Sequence, residues 1–354
     1  MSRTKVVASG SIWGEGAAAI NDESYAEMPP TRVGRLAGRG VRGECLWTRL
    51  ERALTPATRC TMAIEHISDT ARWVAVYRAM ETARPDAIFR DPFASRLAGE
   101  RGEEIVERLP RGRAMAWAMI VRTAVFDELI IDAVEHDGVD TIVNLAAGLD
   151  ARPWRLPLPC ELRWVDVDLP DILQYKTTSL SAETPNCRYE AVTADLRDAA
   201  ARRALFARLG SEARRALVVT EGLLIYLTRE QVGELAADLR SVPSFRRWLI
   251  DLASPRLLEI MLRYWGRDVE RGAAPFQFAP EEGTRYFERF GWREVAFRST
   301  MEDARRLDRE MRMMWLWRFM SAFSSAKRRD EFRLFSGTVL LEAATPRRPG
   351  ALND

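Results

Sequence analysis

Apolar residues in the middle of the chain fall in short blocks separated by amphipathic stretches. Ile142 and Val143, then residues 162–168, 187–192, 217–220 and 248–252, form brief runs rich in β-branched and aromatic side chains, which read as strands. Helical periods lie between them, near residues 171–180, 198–209 and 229–240. Strand and helix alternating over short connections predict a doubly wound, mostly parallel sheet covered by helices on both sides. Farther on, residues 281–290 read as a helix, 292–297 as a strand and 336–343 as a last strand. The prediction is a seven-stranded, Rossmann-like α/β fold.

Upstream of the sheet the pattern is helical. Ser68 or Asp69 is placed to cap a helix running to about residue 82, with Ile67, Trp73, Val74, Tyr77 and Met80 on one side. Arg84-Pro85-Asp86 ends it, and Arg90-Asp91-Pro92 opens a second, short helix. Residues 62–113 are therefore expected to form a helical cap, over a ligand cleft or simply over apolar sheet surface, ahead of a sheet domain at 114–345. Residues 1–61 carry recurring glycine and arginine without a sustained period and read as a flexible or partly ordered extension, with Met62 an alternative start. Residues 346–354 read as a tail.

Two segments interrupt the alternation, near 255–283 and 301–326. The first carries Tyr264, Trp265, Phe276 and Phe278. The second reads as one long helix with Met311, Met313, Met314, Trp315, Trp317, Phe319 and Phe323. Such stripes are more often core than ligand contacts, so packing is the first expectation and an apolar substrate pocket the second.

The helix over residues 114–136 holds an anomaly. With Arg122 as reference, Met115, Ala118, Met119, Val125, Phe126, Leu129 and Ala133 all fall within about 60° of it on the helix. An arginine in the middle of an apolar face needs an anionic partner, because a buried unpaired charge costs several kcal/mol. An internal salt bridge and an anionic ligand are equally good candidates.

Composition narrows the partners. A formal charge of +2 gives no broad field for nucleic acid or an anionic membrane, and neither is expected. Cys45, Cys60, Cys160 and Cys187 show no C-x-x-C spacing, and with only His66 and His136 beside them a zinc site is not expected. Reduced thiols suit a cytoplasmic protein. No apolar run approaches the roughly 18 residues of a membrane span.

In a doubly wound sheet the ligand lies beyond the carboxyl ends of the strands. Gly148 follows the first strand, Asp166 and Asp168 end the second, Asp195 follows the third and Glu221 the fourth. An acid at the second strand end suits the two hydroxyls of a ribose, and Asp168 is preferred to Asp166 for that role. The turn Ala146-Ala147-Gly148-Leu149-Asp150 lacks the glycines of G-x-G-x-x-G, and Asp150 would repel a pyrophosphate. A nucleoside without phosphates fits better, and S-adenosylmethionine is the common cofactor of that kind. Arg122 would meet its carboxylate, Glu221 or a strand-end carbonyl its ammonium, and Asp195 its adenine amino group. Taken singly, each of these acids is more commonly a helix cap or a loop residue.

NLAAGLDARPWRL, followed by WVDVDLP, TADLRD and TEGLLIYLTREQV, with DTARWVAVYRAMETARPDAIFRDPFA upstream, resembles the leucine carboxyl methyltransferase family of S-adenosylmethionine-dependent O-methyltransferases. The likeness runs over about residues 64–343 and leans to the bacterial branch associated with small-molecule and secondary-metabolite methylation. It implies a cofactor arginine at Arg122, a glycine turn at Gly148, a ribose acid at Asp168, an adenine contact at Asp195 with Leu196, and an acid at Glu221. One position departs from the family's N-L-G-A-G turn: Ala146 stands at its first glycine, a change expected to be tolerated at some loss of affinity.

The resulting expectation is a carboxyl O-methyltransferase acting on a small molecule, secondary metabolite or peptide. A carboxylate acceptor needs no general base; a phenol would, with Tyr226 or Glu221 as candidates and Tyr226 the one assigned to acceptor positioning. Arg72 and Arg78 on the cap could hold an acceptor carboxylate, although surface solvation is preferred for both. The alternative is a catalytically silent cofactor-binding or scaffold protein, and a nicotinamide oxidoreductase is disfavoured by the missing glycines.

Overall fold

The computed structural model describes residues 67–109, 112–271, 275–311 and 326–344. The strands are β1 (Thr141–Leu145), β2 (Arg163–Asp168), β3 (Arg188–Thr193), β4 (Ala216–Thr220), β5 (Phe245–Ala253), β6 (Trp292–Ser299) and β7 (Ser336–Ala343). They form one seven-stranded sheet in the order β3-β2-β1-β4-β5-β7-β6. β1 to β5 run parallel, and β7 inserts antiparallel between β5 and β6. The strand order reverses between β1 and β4, which opens a crevice at their carboxyl ends.

β1 and β4 are buried throughout, and this is why Ile142–Val143 and Leu217–Val219 read as apolar runs. Alternate residues feed opposite faces. Val143, Leu145, Val165, Val167 and Val218 pack with Phe206, Leu235, Trp248 and Phe287 on one side. Ile142, Trp164, Leu217 and Val219 pack with Phe126 and Ile130 on the other.

The covering helices include α3 (Ala116–Glu135), the short α4 (Arg152–Arg155), α5 (Pro170–Ser179), α6 (Ala199–Glu212) and α7 (Arg229–Arg240). Local chemistry sets several boundaries. Asp198 caps α6 by accepting the Ala200 and Ala201 N–H groups, and Thr228 with Gln231 forms a capping box on α7. Ahead of them, α1 (Ile67–Thr82) packs against α2 (Ala94–Arg108), and their apolar faces join Trp154, Ile172, Trp265 and Phe276 in a third cluster. Trp265 belongs to α8 (Pro255–Arg271).

Gly99, at a φ of 60°, interrupts α2, so the second cap helix is short as expected before a further helical stretch to Arg108. The helix expected at 281–290 is a 3-10 helix, Gly283–Phe290. One expectation is corrected. The long helix expected over 301–326 is interrupted near its start, because α9 (Thr300–Arg306) stops after two turns; α10 is Ala326–Arg333. The stop is a Schellman motif: Asp308 takes a left-handed φ of 52°, its N–H reaches Arg305 O, and the Arg309 N–H reaches Ala304 O. Arg309 is then drawn into the interior by Glu81 at 2.8 Å. Met313, Met314, Trp315, Trp317, Phe319 and Phe323 lie outside the described residues, as do residues 1–61 and 346–354.

Candidate functional site

A cavity of about 880 Å³ lies at the carboxyl ends of β1, β2, β4 and β5, within the usual range for small-molecule sites. Arg122, Ala146, Gly148, Asp168, Asp195, Leu196, Glu221 and Tyr226, all singled out from sequence, line it together.

The turn after β1 is built from both sides. Ala146 and Gly148 adopt left-handed φ values of 53° and 51°. Only Gly148 does so without a steric cost; a Cβ there would also sit 3.1 Å from Ala71 Cβ of α1. The Ala147 N–H bonds to Val167 O of β2, and Asn144 reaches Asp166 and Asp150 at 3.0 and 3.2 Å. Asp168 completes the clamp, its carboxylate accepting the N–H groups of Gly148 at 2.6 Å and Leu169 at 2.7 Å. Burial raises its pKa, and these two donors only partly oppose the rise.

The neighbouring Asp166 has a different environment. It is fully buried and held by Lys176 at 2.6 Å and by the Trp164 indole N–H at 2.8 Å. β-Strand alternation would place the two acids on the same face, but Asp168 stands at the strand's end, where the chain turns toward the cavity.

Arg122 meets Glu221 at 3.0 Å and Asp251 at 3.2 Å while lining the cavity. The internal ion pair and a place on the cavity wall thus coincide. Burial disfavours its charge, but Asp251 and Glu221 raise its pKa on balance. The second oxygen of Glu221 bonds Arg152 at 2.7 Å. Arg152 is almost wholly buried and also binds Asp127 at 2.6 Å and Asp150 at 2.8 Å. Arg155 adds a second contact to Asp127 at 2.7 Å. Burial acts to raise the pKa of Asp150, yet Arg152 and Lys176 hold it down at about 2. Glu221 is likewise lowered, against its burial, by Arg152 and Arg122.

The sequence did not point to Arg152 or Asp251. Signals existed: Arg152 and Arg155 stand on one short helix right after the glycine turn, and Asp251 is a charge inside the apolar run WLIDL. Arg78 is not surface-solvated as preferred from sequence, being buried with Asp91 at 2.8 Å and Leu149 O at 2.6 Å. Arg72 bonds Ala98 O and lies over the Tyr175 ring, 3.9 Å from its centroid.

Asp195 and Leu196 form the rim beyond β3. Asp195 is gripped by Arg197 at 2.7 Å, which lowers its pKa, and Leu196 packs beside the sheet core. Across the cavity, Tyr226 ends a 3-10 turn, Leu224–Tyr226, with its ring 5.5 Å from that of Phe276. Burial raises its pKa, which makes the phenol a poor base. Trp73, Tyr77, Met119, Met261, Trp265 and Phe276 complete an apolar wall. Of the aromatic segment expected as core, Trp265 and Phe276 thus also line the cavity, Phe278 stays in the sheet core and Tyr264 is exposed. Among the described residues there is no cluster able to hold a metal ion, and no helix is long and apolar enough to cross a membrane.

Sheet order, glycine turn and an acid ending β2 define an α/β protein of the Rossmann-like methyltransferase type. Residues 71–240 match the family described as leucine carboxyl methyltransferase. A Mycolicibacterium smegmatis protein provisionally named an S-adenosyl-L-methionine-dependent methyltransferase is 31% identical over 268 residues, covering 66% of this chain and 86% of that one. A Parafrankia protein with the same provisional description is 38% identical over 197 residues, but the alignment covers 52% of this chain and 63% of that protein. A DUF574 family protein from Streptomyces avermitilis shares the fold, with a TM-score of 0.51 at 15% identity over 77% of this chain and 96% of that one. The chain belongs to this family of S-adenosylmethionine-dependent methyltransferases.

Proposed function

We propose that the chain is an O-methyltransferase that transfers the methyl group of S-adenosylmethionine to a carboxylate of a small molecule, secondary metabolite or peptide. The observation that carries the reading is the position of Asp168, pinned by the Gly148 and Leu169 N–H groups on the wall of a cavity that Arg122 and Glu221 also line. The donor set fits the cofactor. A carboxylate has about four lone-pair directions, so Asp168, with two N–H contacts, keeps acceptor capacity for ribose hydroxyls. Glu221 keeps the same capacity for an ammonium group, and Arg122 is a cation at the same end of the cavity. Asp195 and Leu196 suit an adenine edge and face.

When bound, the cofactor supplies a methyl group already activated on a sulfonium, so the chain has only to bind, orient and exclude water. The wall of Trp73, Tyr77, Met119, Trp265 and Phe276 excludes water from the acceptor side. Tyr226, with its raised pKa, is suited to positioning an acceptor by hydrogen bonding, not to removing a proton. A carboxylate acceptor brings no proton to remove, and this favours it over a phenol. The residues at 63–99, 255–283 and 301–326 are proposed as the parts that shape the acceptor side. Incubation with a panel of carboxylic acids and the labelled cofactor should add one methyl group to at least one acid, detected by mass spectrometry as an ester. Methylation confined to phenols or amines would overturn the acceptor assignment.

A second reading, a cofactor-binding protein without turnover, draws on Ala146 and its left-handed backbone. Tight cofactor binding with no transfer to any acceptor would favour it.

A further inference from the structure

The ion pairs behind the cavity do not balance. Arg78 stands against Asp91, Arg155 against Asp127, Arg152 against Asp150 and Arg122 against Glu221. Asp251 on β5 is left over. One of its oxygens lies 3.2 Å from Arg122 Nη1, a guanidinium that Glu221 already shares. The other accepts the Gly222 N–H at 2.6 Å. Asp251 therefore has no cation to itself among the described residues, and its partly exposed carboxylate lines the cavity beside Arg122 and Glu221. The wall at this end has a surplus of negative charge.

That surplus matches the chemistry of the reaction proposed above, on which this inference rests. As the acceptor carboxylate oxygen forms its bond to the methyl carbon, the carbon–sulfur pair returns to sulfur. The sulfonium becomes a neutral thioether and the carboxylate a neutral ester, with no proton moved. One positive charge disappears from the donor. We propose that Asp251 is a specificity-determining residue that makes the site favour the positively charged methyl donor over its neutral demethylated product. The product keeps the donor's ammonium and carboxylate but not the sulfonium charge, so the surplus carboxylate faces one positive charge fewer after transfer, and transfer itself weakens the hold on the product.

Calorimetric titration with S-adenosylmethionine and with S-adenosylhomocysteine tests this. Asp251→Asn keeps an oxygen for the Gly222 N–H and leaves Arg122 its Glu221 partner, so the fold should persist, as a thermal melt would verify. The variant should bind S-adenosylmethionine about tenfold more weakly and S-adenosylhomocysteine within about twofold of the wild type, the effect of deleting one charge in a partly solvated site. Asp251→Glu should restore the wild-type ratio of the two affinities. Equal weakening of both ligands, or an unchanged ratio, would overturn the proposal while leaving the functional reading intact. Binding of neither ligand to the wild-type chain would overturn both.

Discussion

The Asp168 carboxylate accepts the Gly148 N–H at 2.6 Å, so the end of β2 clamps the turn that leaves β1. The clamp is made by a group that burial disfavours in its charged form, since its pKa is raised above the ordinary carboxylate value. An acid with a folded pKa above its unfolded one binds more protons when folded, so its ionisation lowers stability as pH rises through that window. At neutral pH the full cost is present. Asp168→Asn removes that cost but turns an amide NH2 toward one of the two backbone N–H groups that the carboxylate oxygens accept, and the lost acceptor outweighs the relieved charge, so the midpoint of thermal unfolding of the ligand-free chain should fall by a few degrees at pH 7. A variant as stable as the wild type at that pH would contradict the clamp.

Ala146 tests the turn from the other side. A left-handed residue with a Cβ costs about 1–2 kcal/mol, while glycine's extra freedom in the unfolded chain returns part of this. Ala146→Gly should therefore stabilise the chain by about 0.5–1 kcal/mol, read in a denaturant titration. Loss of stability would mean that the methyl makes a packing contact worth more than the strain.

Arg152 serves Asp127, Asp150 and Glu221 at once. Arg152→Met would leave buried carboxylates without their cation and should cost about 3–5 kcal/mol. Arg152→Lys keeps the charge but not the fork, so a smaller loss is expected. Equal unfolding midpoints for the wild type and Arg152→Met would contradict the role given to this network.

Acid should dismantle the same network. Asp150 has its pKa depressed to about 2, so its contribution is complete above the unfolded value of about 3.9 and is lost as pH falls from there through 2. Melting temperatures measured across pH 5 to 2 (roughly the window spanned by both values) should fall for the wild type and fall less steeply for Asp150→Asn. Identical slopes would remove Asp150 from the account.

Much of this arrangement can be read along the chain, for a physical reason. β1 and β4 are buried on both faces, and burial on both faces favours apolar residues at successive positions; the acids that follow such strands then stand at the crevice by topology alone. Arg122 was visible because a helical period makes a charge on an apolar face conspicuous. Arg152 was not, because its partners Asp127 and Glu221 lie 25 and 69 residues away and only the folded chain brings them together. The break after α9 was hidden for another reason: apolar periodicity runs through Asp308 unchanged, while the left-handed backbone that stops the helix leaves no mark in the pattern. Asp251 lay in plain view as a charge within a strand, but its meaning depends on how the arginines around it are shared.

The central claim is that Asp168 and its neighbours hold S-adenosylmethionine in the cavity at the strand ends. Calorimetry of the wild-type chain should show saturable binding of the cofactor to one site. Asp168→Ala, which removes the proposed ribose acceptor, should weaken it by at least tenfold (about 1.4 kcal/mol, a modest figure for a charged hydrogen-bond acceptor). Wild-type heats indistinguishable from dilution, or full affinity in Asp168→Ala, would contradict the account.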